Sequence, residues 1–200
     1  MMIYTIGQWV CQLFFTMFIR VEVKGKENIP EEGPVLLCSN HISNFDPPLI
    51  GTFLKRKIRF MAKEELFHNK LLGFLLSSLG AFPVKRGAGD RQAIRKGLDV
   101  LKKGEMLCLF PEGTRSKTGK LGKPLSGSGF FALRSEAVIV PVVIIGPYKL
   151  FRKVTIIYGK PIHFEKYRKE RVSTKEATDI IMTNIQSLLE RHQEENDELI

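Results

Sequence analysis

Short unbroken apolar runs alternate along the chain with amphipathic stretches, a rhythm that predicts strands and helices following one another. Val35-Leu36-Leu37-Cys38, entered through Pro34, and Met106-Leu107-Cys108-Leu109-Phe110 read as strands buried on both faces. Ile58 to Ala62, Val138 to Ile145 and Val154 to Tyr158 predict further strands, and Val21-Glu22-Val23-Lys24 alternates as a half-buried one. Pro141 interrupts the run from Val138, which predicts a sheet edge or a bulge there. Gly80 to Gly87 reads as a short strand ending in Lys85 and Arg86. Residues 90–103 predict an amphipathic helix, with Ile94, Leu98 and Leu101 inward and Arg91, Arg95, Lys96, Lys102 and Lys103 outward, closed by Gly104. Leu49 to Leu54 predicts a helix capped by Asp46 with Pro47 in its first turn. Lys63 to Phe67 begins another helical stretch, Leu71 to Leu79 fits a buried helix, and Phe130 to Glu136 predicts a further one. Ser173 to about Gln193 predicts a surface helix, with Ser173 or Thr174 as cap and Glu176 following. The fold class is therefore α/β, with a largely parallel central sheet flanked by helices.

The first 19 residues carry no charged side chain, and Arg20 ends the run. Thr5, Gln8, Gln12 and Thr16 form one polar stripe, while Ile3, Ile6, Val10, Leu13, Phe14 and Met17 line much of the rest. A spanning helix needs about 20 mostly apolar residues, so the length is marginal. The basic start and small-residue cleavage site of a signal peptide are missing. The stretch fits an amphipathic helix lying in a membrane interface, with Trp9 and Tyr4 at headgroup level; a helix packed on the chain's own core is the alternative. The expected organisation is a membrane-interface helix over 1–19 and one domain over 20–200.

Composition narrows the class. A hydrophobic fraction of 44% excludes a disordered chain. Lys and Arg outnumber Asp and Glu by 31 to 21, a formal +10, which points to anionic partners. The cations lie in short clusters, and no nucleic-acid-binding signature accompanies them, so nucleic acid is not expected as a partner. Cys11, Cys38 and Cys108 lie far apart, fitting free thiols in a reducing compartment, and no metal-ligand spacing is present.

Three polar groups fall at the carboxyl ends of separate predicted strands: His41 with Asp46, Lys85 with Arg86, and Glu112 with Arg115. In a parallel sheet such ends converge on one edge, where ligands sit. Asp46 can fold back onto His41, holding one imidazole nitrogen protonated and leaving the other as a proton acceptor. A structural His and a helix-capping Asp fit the same spacing. Arg86 and Arg115 offer forked donors for a phosphate dianion, and Gly113 lets a ligand approach the backbone. Equally, Glu112 and Arg115 can pair with each other across a turn. With no Gly-x-Ser-x-Gly elbow and no cysteine in a nucleophile's setting, direct attack by a substrate hydroxyl on an acyl carbonyl is the simpler chemistry.

Asn40-His41-x4-Asp46, then Gly80 to Arg86, then Phe110-Pro111-Glu112-Gly113-Thr114-Arg115-Ser116, then Val140-Pro141-Val142 resembles the four-block signature of glycerolipid acyltransferases, in the family's order. The match is closest to the bacterial 1-acyl-sn-glycerol-3-phosphate (lysophosphatidate) acyltransferases. The resemblance implies that His41 is the general base on the acceptor's 2-hydroxyl and that Asp46 orients it. It implies a glycerophosphate site of Arg86, Glu112, Gly113, Thr114 and Arg115, with Glu112 ordering the arginines, and Lys63 near the acyl-transfer centre. The stretch from Leu71 then also fits the lip of an acyl-chain groove. The implied reaction takes an acyl group from acyl-CoA or acyl carrier protein, as co-substrate, to lysophosphatidic acid, with no further cofactor and no metal. The implied setting is peripheral, on the cytoplasmic face of the cell membrane, against its phospholipid surface. Members often carry Phe-Lys-x-Gly after the third block; here the aligned run is Pro124-Leu125-Ser126-Gly127, with Lys120 and Lys123 nearby. Another acceptor, such as glycerol 3-phosphate or a different lysophospholipid, and a non-catalytic anionic-lipid-binding module are the alternatives.

Overall fold

The computed structural model describes residues 2–85, 89–116 and 118–197. The helix α1 (Met2–Phe18) leads into β1 (Arg20–Lys24), β2 (Val35–Ser39), α2 (Asp46–Thr52) and β3 (Ile58–Lys63). There follow α3 (Lys70–Ser78), β4 (Ala81–Val84), α4 (Arg91–Lys102), β5 (Met106–Leu109), α5 (Gly127–Arg134), β6 (Val138–Ile145), β7 (Lys153–Tyr158), α6 (Glu165–Lys169) and α7 (Thr174–Asp197). The strands form one sheet in the order β1-β7-β6-β2-β5-β3-β4, parallel throughout except where β6 meets β7.

The sheet is covered on both faces because its central strands are apolar on both. Val35 and Leu37 of β2 pack with Phe15 of α1 and with Leu49 and Ile50 of α2. Leu36 and Cys38 point the other way, among Leu101 of α4, Phe131 of α5 and Ile181 and Ile185 of α7. After β2 the chain crosses to the α2 face, whereas after the neighbouring β5 it runs to α5 on the opposite face. Adjacent strands that send their connections apart open a crevice at their carboxyl ends, and that crevice positions the site.

Several sequence expectations are corrected. Asp46 does not cap α2 but is its first residue, with Phe45 at the cap position, because its carboxylate is drawn back into the preceding turn. Pro141 lies in an interior strand, not at an edge. The Val138 and Ile144 amides both donate toward β2, so the proline nitrogen faces β7. There it falls between the β6–β7 ladder, which ends at Val142, and an isolated bridge from Ile139 to Ile162. α3 is not a buried helix, since Leu71, Phe74 and Leu75 are exposed and only Gly73 is buried. Lys63 to Phe67 is the end of β3 followed by a single 3-10 turn, and α5 starts three residues earlier than the apolar pattern indicates.

In α1, one side packs inward through Phe15, and Gln8, expected on a polar stripe, turns toward α2. Its amide donates to the carbonyls of Gly51 (2.9 Å) and Leu54 (2.7 Å), satisfying acceptors that the end of α2 leaves open. The opposite side, with Ile6, Trp9, Val10, Leu13 and Met17, is apolar and exposed. No described helix is long and apolar enough to cross a membrane.

Helix α5 touches α7 where Gly129 donates to Thr178 Oγ1 (3.0 Å). A Cβ on Gly129 would lie 2.7 Å from the Thr178 backbone nitrogen and closer still to the Thr174 carbonyl, so backbone would have to move. Gly129→Ala is expected to lower unfolding stability by about 1–3 kcal/mol through overpacking, read as a reduced urea midpoint at unchanged slope; an unchanged midpoint would contradict this packing.

Candidate active site

Leu37, Cys108 and Phe60 lie abreast on β2, β5 and β3, so three residues on stand Asn40, Pro111 and Lys63, all at the carboxyl edge. The chain after β2 is the key element. Asn40 ends the strand by mimicking a backbone pair, its Nδ2 donating to the Ile144 carbonyl (2.9 Å) and its Oδ1 accepting from the Ile144 amide (2.7 Å). His41 follows, buried, with its ring stacked on Phe110 at a centroid distance of 4.0 Å and 20° between planes. Its Nδ1 lies 2.7 Å from Asp46 Oδ2. That same oxygen accepts from the amides of Ile42 (2.7 Å) and Ser43 (2.8 Å), while Oδ1 accepts from the Tyr148 hydroxyl (2.8 Å).

Asp46 is fully buried, and a buried carboxylate is stable only when its lone pairs are met. Four donors meet them here. Burial and the Asp46 charge push the Tyr148 phenol up from its ordinary value, which keeps that group a donor. The carboxylate fixes the proton on Nδ1 of His41, and Nε2 has no protein partner among the described residues. A neutral imidazole held this way is a proton acceptor aimed outward.

A second buried carboxylate shapes the other wall. Glu112, following β5, accepts from the His41 amide through Oε1 (2.9 Å) and from the Gly122 amide through Oε2 (2.6 Å). The Ser116 amide donates to the His41 carbonyl (2.7 Å). Glu112 therefore joins the turn after β2 to the loop after β5. Among the described residues, which do not include Arg86, Glu112 forms no ion pair, and its two oxygens each meet a main-chain amide. Gly113 adopts φ 67°, a left-handed conformation that favours glycine, and so closes the turn after Glu112. Thr114 and Arg115 are exposed beside it.

Lys63 ends β3 at the same edge, exposed and 3.2 Å from Glu65 Oε1, and Lys85 after β4 reaches Glu64 (3.7 Å). Arg86 lies outside the described residues. Cys38 and Cys108 are buried, and burial pushes both thiols up, which makes neither a nucleophile. Tyr148 and Phe110 escaped the sequence reading. Phe110 closes a predicted strand and so reads as core, and Tyr148 reaches Asp46 from 102 residues away.

A family model described as acyltransferase matches residues 20–145. The chain belongs to the acyltransferase family. This acyltransferase is 35% identical over 150 residues to the 1-acyl-sn-glycerol-3-phosphate acyltransferase of Bacillus subtilis, a match covering 72% of the chain and 74% of that protein. It is 32% identical over 164 residues to a chloroplastic enzyme of the same name from Arabidopsis thaliana, covering 74% of the chain but only 45% of that longer relative. The crystal structure of the 1-acyl-sn-glycerophosphate acyltransferase of Thermotoga maritima superposes with a TM-score of 0.69 at 25% identity, over 93% of this chain and 78% of that one. The α/β fold read from the sequence is that of the Thermotoga protein.

In this acyltransferase Glu112→Gln would set an amide N–H₂ against one of two main-chain N–H groups. The expected result is a loss of about 1–3 kcal/mol, the cost of a buried donor left unmet, together with faster hydrogen exchange at the His41 or Gly122 amide. Unchanged stability and exchange would show that the carboxylate does not hold the two loops.

Proposed function

We infer that this acyltransferase moves a fatty acyl group from a thioester, acyl-CoA or acyl carrier protein, to the 2-hydroxyl of 1-acyl-sn-glycerol 3-phosphate, giving phosphatidic acid. The observation that carries the reading is the His41–Asp46 pair at 2.7 Å, with Nε2 unpartnered among the described residues, in a chain whose relatives bear that activity's name. His41 Nε2 takes the proton as the acceptor oxygen attacks the thioester carbonyl. The tetrahedral intermediate then collapses, the C–S bond breaks, and the imidazolium returns the proton to the departing thiolate. Asp46 stabilises the imidazolium without taking its proton, and no covalent acyl-enzyme is required.

Arg115, exposed beside the pair's loop, and Arg86 are the cations for the acceptor phosphate, with Gly113 and Thr114 shaping the turn that carries Arg115 and Lys63 serving nearer the acyl-transfer centre. Metal and cofactor are unnecessary to this sequence of steps. The exposed apolar side of α1, with Trp9 and Leu13, lies in the interface of a phospholipid membrane, and the basic surface adds attraction of about 1 kcal/mol for each Lys or Arg near anionic lipid. The place of action is then the cytoplasmic face of the cell membrane, as a peripheral protein.

The test uses purified protein, radiolabelled acyl donors and a panel of lyso-acceptors separated by chromatography. His41→Ala is expected to lower turnover by about 10²–10⁴-fold with the fold intact. Arg115→Ala is expected to raise the acceptor KM by about tenfold or more, the scale of a lost charge-assisted hydrogen bond, at little cost in kcat. Activity retained without His41, or an Arg115 effect confined to the acyl donor, would refute the corresponding role. Transfer to a different acceptor alone would refute the substrate.

A further inference from the structure

The loop between β6 and β7 holds a segment that the chemistry above leaves unused. Residues 149–152 read Lys-Leu-Phe-Arg, and Leu150 and Phe151 are 66% and 67% exposed. Phe151 adopts φ 59°, a left-handed conformation that a bulky side chain rarely takes. The Arg152 amide donates to the Lys149 carbonyl (3.0 Å), and the Lys149 amide to the Pro147 carbonyl (2.9 Å), which closes the turn. A strained backbone thus holds an aromatic ring away from the core. We propose that Leu150 and Phe151 form an interfacial wedge that inserts into an anionic lipid surface beside α1, with Lys149 and Arg152 on the headgroup phosphates.

Continuity with α1 is the first support. The Phe151 amide donates to the Phe18 carbonyl (2.8 Å) and the Arg20 amide to the Arg152 carbonyl (3.1 Å), so the loop is fastened to the carboxyl end of α1. Exposed Met17 and Phe18 continue the apolar surface from Trp9 and Leu13 toward the wedge. The second support is charge. Lys149 and Arg152 flank the two apolar residues, are exposed, and have no acidic partner among the described residues. Apolar tips between free cations match the layering of a bilayer, hydrocarbon beneath phosphate. A protein partner calls for no such layering.

The third support is the connection to the site. Two residues before Leu150 stands Tyr148, bonded to Asp46 at 2.8 Å. Its ring lies 5.7 Å from that of Phe45, which is stacked on Phe14 of α1 at 5.7 Å. A wedge at this point would hold the His41–Asp46 pair beside the lipid surface from which an acceptor must come. The proposal rests on the membrane reading of α1 given above and adds a second, separate contact.

The test is sedimentation of the full chain with vesicles of phosphatidylcholine alone and of phosphatidylcholine with phosphatidylglycerol. The variants are Leu150→Ser with Phe151→Asn, Lys149→Ser with Arg152→Ser, and Trp9→Ser. Asparagine tolerates the left-handed turn, so the first variant keeps the loop, which thermal melting checks. Wild type should bind the anionic vesicles, and the Leu150–Phe151 variant should partition about tenfold more weakly, the scale of losing part of two apolar insertions. The Lys149–Arg152 variant should lose only the added affinity for phosphatidylglycerol. In a Trp9→Phe background, Phe151→Trp should show blue-shifted emission on vesicle addition. Full binding by the Leu150–Phe151 variant, with binding weakened by Trp9→Ser, would overturn the wedge and leave the α1 reading standing. No binding by wild type would overturn both. A wild-type dimer that the Leu150–Phe151 variant dissolves would assign the patch to self-association instead.

Discussion

A buried carboxylate needs donors, and the carboxyl edge of the sheet is built around meeting that need at Asp46. Four groups converge on its two oxygens: the His41 ring, two amides of the turn after β2, and the Tyr148 hydroxyl. Removing the charge would leave those donors unmatched, and removing a donor would leave charge unmatched, so the arrangement is held from both sides. The helix α2 begins at Asp46 itself, with Pro47 and Pro48 fixing its first turn. A single side chain thus decides where the strand's exit ends, where the helix starts and which way the imidazole faces.

Glu112 repeats the device one strand away. At the carboxyl edge of a sheet the backbone runs out of ladder partners, and irregular loops must satisfy their amides otherwise. Here side chains supply the missing acceptors: Glu112 for His41 and Gly122, Asp46 for Ile42 and Ser43, Asn40 for Ile144. The loops are thereby tied to one another while Thr114 and Arg115 stay exposed. That is what the proposed role of His41 requires: a base that holds its geometry yet stays open to the proposed acceptor.

Much of this was legible in the residues. Unbroken apolar runs identified the central strands because a sheet covered on both faces leaves no polar side. His41 and Asp46 stood out because a strand handing over to a helix puts its polar residues at the ligand-binding edge. The tie that Glu112 makes between two loops is not legible for a physical reason: nothing in sequence shows that amides from Gly122 and His41 converge on that carboxylate. Tyr148, 102 residues from Asp46, and Asn40, 104 from Ile144, meet their partners only through the strand order, with β2 between β6 and β5. That order does not follow the chain. The first helix was half legible, its apolar outer side apparent and the inward turn of Gln8 onto α2 not.

Asp46 fixes one tautomer of His41. Long-range nitrogen–proton correlation on protein labelled with ¹⁵N-histidine, at a pH where the ring is neutral, reads it directly. Residue 41 is expected to show a protonated Nδ1 and a bare Nε2, with the pattern lost in Asp46→Ala. A proton resident on Nε2, with Nδ1 bare, would contradict it.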